Sequence, residues 1–278
     1  MNIGIVGLGL IGGSLAKSIK NRTAHTVYGL DVNDETMTFA RLCGAIDGRL
    51  TADTLPGCDM LLLAVRPGDA VAWTREHAPA FNKEAILVDM CGVKRSVCAK
   101  LSALAKTNGF RYVGGHPMAG SERGGFVNSR EDLFVGASMI LTPETGCDLQ
   151  TLETVKNLFT DIGFANMTYT DPDTHDRVIA YTSQLAHVVS SAYVKSPEAQ
   201  VRRGFSAGSF RDLTRVARLD EDMWTELMLD DADYLTAQLD VLLANLQAYR
   251  DAVAARDGEK LHALLKEGRE RKATAGGN

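Results

Sequence analysis

The sequence predicts an α/β fold: a doubly wound, mainly parallel sheet followed by an all-helical domain. Up to about residue 170, short apolar runs typical of buried strands alternate with segments of helical spacing. Beyond that point, apolar residues recur at helical spacing almost to the end of the chain. The 278 residues are enough for two modest domains, which we place at residues 1–170 and 171–278.

Seven apolar runs indicate the strands of the sheet. They lie at residues 3–6, 26–30, 60–65, 85–90, 111–115, 138–142 and 164–170, and helical segments are predicted at 14–20, 95–106 and 149–161. Ligands of such sheets bind at the carboxyl ends of the strands. By that rule, one edge of the sheet, at the carboxyl ends of its strands, carries Gly7, Asp31, Arg66, Cys91 and His116.

The second half is helix-compatible almost throughout. Residues 178–194 and 223–253 carry wide apolar faces, whereas residues 273–278 resemble a frayed tail. Such faces favour a helical bundle that a second subunit completes. We therefore predict a homodimer formed through this domain.

The first strand leads into a glycine-rich turn typical of dinucleotide sites. Residues 7–12 read G-x-G-x-x-G between a predicted strand and a predicted helix. One glycine makes the tight turn, one lets the backbone approach a pyrophosphate, and one allows close helix packing. The pyrophosphate then lies at the helix N-terminus, which favours negative charge. The alternative is a glycine-rich turn without a ligand.

Asp31 ends the second strand, where an acidic side chain binds the ribose 2′-hydroxyl in a Rossmann-type domain. Its carboxylate favours NAD and would repel the 2′-phosphate of NADP, and no basic residue follows directly to reverse that preference. Alternatively, Asp31 caps the helix that begins near Glu35, although Asp34 is better placed to do so. The predicted cofactor residues are Gly7, Leu8, Gly9, Leu10, Ile11, Gly12, Asp31, Val65 and Arg66.

Bulk properties narrow the class of protein. With 45% hydrophobic and 23% charged residues, the composition is that of an ordinary soluble protein, and the net charge of −5 gives no general attraction to nucleic acid or to an anionic membrane. We expect neither a membrane span nor a signal peptide. The five cysteines are scattered without a C-x-x-C pair, which indicates reduced thiols in a cytoplasm and predicts no metal site.

The most distinctive segment, residues 114–125, reads GGHPMAGSERGG. His116 stands between a glycine and a proline, which fix its backbone direction. Histidine is the natural group to take a proton near neutral pH. On chemistry alone, a catalytic and a structural role are both open.

This segment resembles the G-G-H-P-M-A-G-x-E motif of the prephenate and arogenate dehydrogenases of tyrosine biosynthesis. Further resemblances follow in order: residues 89–94 to D-x-x-S-V-K, His175-Asp176-Arg177, residues 183–187 to S-x-L-P-H, residues 210–217 to F-x-D-x-T-R-I-A, and Met223-Trp224. Several motifs in the right order cover nearly the whole chain. The chain is therefore identified as a member of that family.

The resemblance implies NAD-dependent oxidative decarboxylation of prephenate to 4-hydroxyphenylpyruvate, or of arogenate to tyrosine as the alternative. Hydride leaves ring C4, the hydroxyl there loses its proton, and carbon dioxide departs as the ring becomes aromatic. By resemblance, His116 accepts the proton, and Arg215 binds a carboxylate through its guanidinium fork. The other implied residues are His187, Ser121, Glu122 and Gly92 at the substrate, with Asp176 and Lys94 behind them.

Some roles stay open at this point. Arg215 is alternatively a solvated helix charge. Glu122 and Asp176 are expected to orient or gate the site by ion pairing. Gly92 stands where the family usually has serine, and Cys91, Ser121 or a water could replace the lost contact. This departure leaves the choice between prephenate and arogenate open.

Two other functions are compatible with a dinucleotide fingerprint followed by helices. A β-hydroxyacid dehydrogenase or imine reductase would need a catalytic lysine in G-x-x-G-x-x-x-K, and the second half lacks that pattern. A non-catalytic NAD-sensing protein would not need His116, His187 and Arg215 together. Saturable turnover of prephenate would exclude the sensor.

Overall fold

A computed structural model describes residues 1–121, 123–205 and 207–275 of the chain. Its centre is one eight-stranded sheet with the strand order β3-β2-β1-β4-β5-β6-β7-β8. The strands are β1 (Asn2–Val6), β2 (Thr26–Leu30), β3 (Gly48–Arg49), β4 (Met60–Leu63), β5 (Ile86–Asp89), β6 (Arg111–Met118), β7 (Ser138–Pro143) and β8 (Asn166–Tyr169). The seven predicted strands are all present, and β3 is an addition.

The sheet is mainly parallel, as predicted, with one reversal. Strands β1 to β6 pair in parallel, β7 runs antiparallel to β6, and β8 is parallel to β7. Strand order reverses beside β1, which is the switch point where ligands of doubly wound sheets bind. The glycine-rich turn therefore begins at the position that the topology favours for a ligand.

The helices of the first part cover both faces of the sheet. They are α1 (Leu10–Arg22), α2 (Asp34–Leu42), α3 (Pro67–His77), α4 (Arg95–Asn108) and α5 (Leu149–Asp161). One apolar core joins the sheet to α1, α2 and α5, and a second core joins the other face to α3 and α4. Both faces are thus buried, which confirms the doubly wound arrangement.

The remaining helices follow the sheet. They are α6 (Pro172–Ile179), α7 (Ala186–Tyr193), α8 (Glu198–Val201), α9 (Gly208–Thr214), α10 (Glu221–Asp230), α11 (Ala232–Ala254) and α12 (Gly258–Ala275). A π-helical segment, Ala180–Leu185, joins α6 to α7. The predicted tail was partly wrong, because residues 273–275 belong to α12.

The boundary between the compact units of the chain does not coincide with the end of the sheet. The sheet and α1 to α10 form one compact unit, Met1–Asp231, and the second unit begins at Ala232. Within the second unit, the Tyr249 hydroxyl donates a hydrogen bond to the Leu264 carbonyl (3.0 Å), which joins α11 to α12. Among the described residues, no helix has the length and apolarity needed to cross a membrane.

Candidate active site

The glycine turn after β1 has the geometry that a dinucleotide needs. Gly7 has φ +85°, and a Cβ there would lie 2.5 Å from the Ala64 carbonyl oxygen. A Cβ on Gly12 would lie 1.8 Å from the Gly7 carbonyl oxygen, so this glycine lets α1 pack closely on the turn. At Gly9, by contrast, no described atom lies within 4 Å of the Cβ position. The backbone is open there, at the N-terminus of α1, where a pyrophosphate fits.

Asp31 connects the end of β2 to this turn. Its carboxylate accepts hydrogen bonds from the backbone N–H of Leu8 (2.8 Å) and of Asn33 (2.9 Å). The cap of α2 is Asn33, which accepts from the Thr36 N–H, so the preference for Asp34 as the cap was wrong by one residue. A carboxylate has about four acceptor positions, and Asp31 therefore keeps capacity for ribose hydroxyls.

Val65 and Arg66 follow β4 at the same edge of the sheet. Val65 packs against the apolar core between the sheet and helices α3 and α4. The Arg66 guanidinium lies 3.5 Å from Asp220 and 3.7 Å from Asp222, just before and within α10. Arg66 is therefore bound to α10 at the edge where the cofactor is expected.

His116 lies within a strand, whereas the sequence placed it just after one. β6 continues to Met118, four residues past Gly114, the last residue that pairs with β5. In that extension, His116 pairs with Ile140 of the antiparallel strand β7. The reversal of β7 thus gives His116 a fixed backbone at the carboxyl edge of the sheet.

A hydrogen-bonded relay runs from His116 into the protein. His116 Nδ1 lies 2.9 Å from His175 Nε2, and His175 Nδ1 lies 2.7 Å from Asp176 Oδ1. The Asp176 carboxylate also accepts the backbone N–H of Lys94 (2.7 Å) and of Arg95 (2.8 Å), at the start of α4. Asp176, which was expected to orient or gate the site, is therefore connected to His116 through His175.

A buried lysine fixes the other side of the same strand. The Lys94 ammonium is fully buried, pairs with Asp89 at the end of β5, and donates to the Gly115 carbonyl oxygen (2.6 Å). The Tyr112 hydroxyl donates to the second oxygen of Asp89 (2.7 Å). The sheet-edge cluster is defined here as His116, His175, Asp176, Lys94 and Asp89.

Burial sets the charge states of this cluster. It is the main cause that lowers the pKa of His116 well below its ordinary value, with the charge of Lys94 acting in the same direction. Burial also lowers the pKa of His175, against the opposing effect of Asp176. Although burial alone would raise the pKa of Asp176, bonds from His175 and from the two backbone N–H groups lower it. Both imidazoles are therefore neutral near pH 7, and Asp176 is ionised.

Gly92 faces the ring of His116. A Cβ at Gly92 would lie 3.9 Å from His116 Nε2 and 3.4 Å from the Leu227 methyl groups. Cys91 does not take the place of the family serine, because its thiol is directed at the Val65 carbonyl oxygen (3.7 Å). Burial raises the pKa of that thiol well above its ordinary value, so it stays protonated.

The helical cluster, defined here as His187, Trp224 and Arg215, lies on the segments after the sheet. The His187 and Trp224 rings are in contact, with centroids 3.9 Å apart. His187 Nδ1 lies 2.8 Å from the Ser183 carbonyl oxygen in the π-helical segment. Burial is the main cause that lowers the pKa of His187, and the nearby charge of exposed Arg215 adds to it. The structure thus brings the two predicted substrate residues together.

Helix α10 connects the two clusters. Trp224 contacts His187, and one helical turn later Leu227 lies against Gly92, beside His116. Between them, the Glu226 carboxylate accepts the backbone N–H of Gly68 at the start of α3 (2.6 Å). The two clusters therefore border neighbouring turns of one helix.

The remaining predicted residues contribute less to this geometry. The exposed hydroxyl of Ser121 bonds to the backbone of Arg123, in a local turn. Glu122 lies outside the described residues. In the part of the chain that the structure covers, no group of three or more His, Cys, Asp or Glu side chains is arranged to hold a metal ion.

Sequence reasoning named neither His175 nor Trp224 as a site residue. Both occurred in segments that resembled the family, but only as parts of a motif. The one local signal was a histidine directly before Asp176, a pairing that in a buried setting orients an imidazole.

Comparison with known proteins covers almost the whole chain. Residues 15–167 match the model of the prephenate dehydrogenase nucleotide-binding domain, and residues 171–267 match that of the prephenate dehydrogenase dimerization domain. Prephenate dehydrogenase of Bacillus subtilis is 31% identical over 274 residues, which span 94% of this chain and 72% of the relative.

Two solved structures share the fold over their full length. Prephenate dehydrogenase from Aquifex aeolicus, in complex with hydroxyphenyl propionate and NAD+, has a TM-score of 0.87 and 28% identity, covering 99% of this chain and 98% of that one. Synechocystis arogenate dehydrogenase has a TM-score of 0.81 and 25% identity, covering 99% and 100%.

Proposed function

Because the chain belongs to the prephenate dehydrogenase family, we propose that it catalyses the NAD-dependent oxidative decarboxylation of prephenate to 4-hydroxyphenylpyruvate. The observation that carries this proposal is the position of His116. It lies at the carboxyl edge of the sheet, with Nδ1 bound to His175 and Nε2 facing the unfilled Cβ position of Gly92. A neutral imidazole in that setting is ready to accept a proton.

NAD, when bound at the glycine turn, supplies the acceptor for the hydride that leaves ring C4 of the substrate. His116 takes the proton of the 4-hydroxyl through Nε2 as that carbon becomes a carbonyl. The bond from the ring to its carboxylate then breaks, carbon dioxide departs, and the electron pair makes the ring aromatic. The phenolic oxygen recovers a proton, so His116 ends neutral and no net proton is consumed.

The helical cluster is suited to hold the substrate. Arg215 offers a planar fork to a carboxylate, and an exposed guanidinium is accessible to an incoming anion. His187 and Trp224 supply a ring surface beside it. We assign to these three residues the binding of the substrate, and to His116 its chemistry.

Arogenate is the alternative substrate, since the arogenate dehydrogenase of Synechocystis has the same fold over the full chain. The two substrates differ only in a keto or an amino group on the side chain. The test is the formation of NADH from each substrate by the purified protein. A kcat/KM at least tenfold higher for prephenate supports the proposal, a tenfold preference for arogenate reverses it, and no turnover of either refutes both.

We also propose that the enzyme prefers NAD to NADP. The Asp31 carboxylate, fixed by the N–H groups of Leu8 and Asn33, accepts a free ribose hydroxyl and repels a phosphate. The expected preference is roughly 10- to 100-fold in kcat/KM, or about 1.5–3 kcal/mol. Replacing Asp31 by serine should narrow it, whereas Asp34→Ser, on the exposed first turn of α2, should not. Equal use of both cofactors by the wild type would contradict the assignment.

We further propose a homodimer formed through the helical half, whose residues 171–267 match a dimerization domain. On α11, Leu243, Leu246 and Val253 lie at helical spacing and are each more than half exposed in the single chain. Light scattering should give a dimer. Leu243→Glu together with Leu246→Glu should give a monomer, and Asn245→Glu, on another face, should not. A wild-type monomer at micromolar concentration would refute the proposal.

We propose that the protein works in the cytoplasm and needs no macromolecular partner other than a second copy of itself. All five cysteines are free thiols, which suits the reducing cytoplasm. The net charge of −5 offers no general attraction to nucleic acid. We therefore expect a small-molecule substrate and a second copy of the chain as the only partners that the activity needs.

A further inference from the structure

We propose that the Asp176–His175 pair fixes the tautomer of His116 and so selects Nε2 as the atom that accepts the substrate proton. His175 is then a positioning residue that acts through His116. This inference rests on the proposed function for its role in turnover, but the tautomer itself is a property of the protein without ligands.

The hydrogen bonds leave one assignment of protons. Ionised Asp176 has no proton to give, so His175 Nδ1 must donate the 2.7 Å bond to it. In neutral His175, the other nitrogen, Nε2, is then an acceptor. The 2.9 Å bond between the rings therefore has His116 Nδ1 as its donor. Neutral His116 consequently carries its proton on Nδ1 and presents a lone pair at Nε2.

Asp176 is held for this task from the other side. Each of its oxygens accepts a backbone N–H at the start of α4, from Lys94 and from Arg95, and the Arg95 Nε lies 3.5 Å away. These bonds favour the ionised carboxylate and fix its direction. The relay therefore begins at a carboxylate that has no proton to donate and whose direction is fixed.

The charges around the relay limit how long His116 holds a proton. When Nε2 accepts one, the imidazolium keeps its Nδ1–H bond to His175, so no proton has to pass along the relay. The cations that face the pair are Lys94 and Arg95, and the anions are Asp176 and Asp89. Lys94 opposes a positive His116, which favours return of the proton to the phenolic oxygen once carbon dioxide has left.

Two substitutions of His175 separate the relay from the fold. His175→Asn keeps a donor near Asp176 but is too short to reach His116. His175→Gln places an amide oxygen where it can accept the Nδ1–H of His116. We expect kcat of the Asn variant to fall at least about 100-fold with little change in KM, and kcat of the Gln variant to stay within about tenfold of wild type. Equal kcat values for Asn and wild type would overturn the proposal.

A spectroscopic readout tests the tautomer without turnover. In 15N-histidine-labelled protein at pH 7.5, the imidazole nitrogens of His116, assigned with His116→Asn, should show a protonated Nδ1 and a bare Nε2. His175→Asn should lose this preference, and His262→Asn, an exposed control on α12, should not. A proton on Nε2 in the wild type refutes the relay even if prephenate is turned over. Conversely, absence of turnover with the predicted tautomer refutes the proposed function alone.

Discussion

The sheet-edge cluster and the helical cluster solve different problems with similar residue types. Asp89, Lys94, His175 and Asp176 are at most 2% exposed, and hydrogen bonds link them to one another and to the backbone. The helical cluster has a half-buried His187 and an exposed Arg215. Under the proposed function, the proton transfer at one nitrogen atom relies on buried, hydrogen-bonded groups, whereas the binding of an anion relies on groups that water and substrate can reach.

The difference has an energetic basis. A buried charge is costly unless it is paired, so each member of the sheet-edge cluster depends on the others. Arg215 is exposed and avoids the burial cost that couples the sheet-edge residues, and under the proposed function it contributes when a substrate carboxylate binds. Substitutions in the first cluster should therefore affect kcat and stability, and those in the second should affect KM.

The most severe test of this comparison is His116→Asn. The variant keeps a polar side chain but removes the base, so kcat should fall by on the order of 10²–10⁴, with a small change in KM. Steady-state kinetics with both substrates measure it, and His262→Asn is the matched control. A near-normal kcat would mean that another group accepts the proton.

Arg215→Ala should mainly raise KM, whereas His116→Asn should mainly lower kcat. Losing a charged partner of a substrate carboxylate costs about 2 kcal/mol or more, which corresponds to a rise in KM of roughly 30-fold or more, with a smaller effect on kcat. Arg211→Ala, an exposed arginine on the preceding turn, serves as the control. If KM stays normal, the carboxylate is bound elsewhere and the helical cluster is not the binding site.

The pH dependence tests the buried setting of His116. Burial lowers its pKa, so the neutral, active form persists below pH 6.5 and is lost only as the pH falls through that lowered pKa. The acidic limb of kcat/KM should therefore lie below pH 6.5 and decline about tenfold per pH unit. A limb at or above pH 6.5, measured in buffers of constant ionic strength, would argue that the base is a more exposed group.

The smallest effect is expected at Gly92, next to the reactive nitrogen. Gly92→Ser places its Cβ at ordinary contact distances, so stability and kcat should change little. Gly115→Ala, one residue from His116, puts a Cβ 2.6 Å from the Asp89 carbonyl oxygen and should destabilise the fold by about 1–3 kcal/mol. Urea unfolding compares the two variants. A large loss of kcat in Gly92→Ser with unchanged stability would show that the substrate needs this space.

Short sequence patterns predicted the elements that depend on contacts between residues close together in the chain. The run from Ile3 through Gly12 specifies a strand, a turn and a helix with nearest-neighbour contacts, and the structure has all three. The extension of β6 depends on pairing with β7, twenty or more residues later in the chain, and the alternation of apolar residues does not encode such pairing. The missed partner of His116 lies 59 residues away on a helix, and the His-Asp pair that contains it does not indicate which residue it will contact.

Helix α10 contacts both clusters, so a shift of this helix at one cluster would change the contacts at the other. Trp224 touches the histidine of the helical cluster, Leu227 lies beside Gly92, and Glu226 holds the start of α3 near the cofactor edge. A ligand that binds more tightly with the helix in one position shifts the population toward that position. The affinity for the other ligand then changes by the same factor, and the reciprocal statement holds as well. Under the proposed function, a ligand that displaced this ten-residue helix at one cluster would therefore change the binding of a ligand at the other.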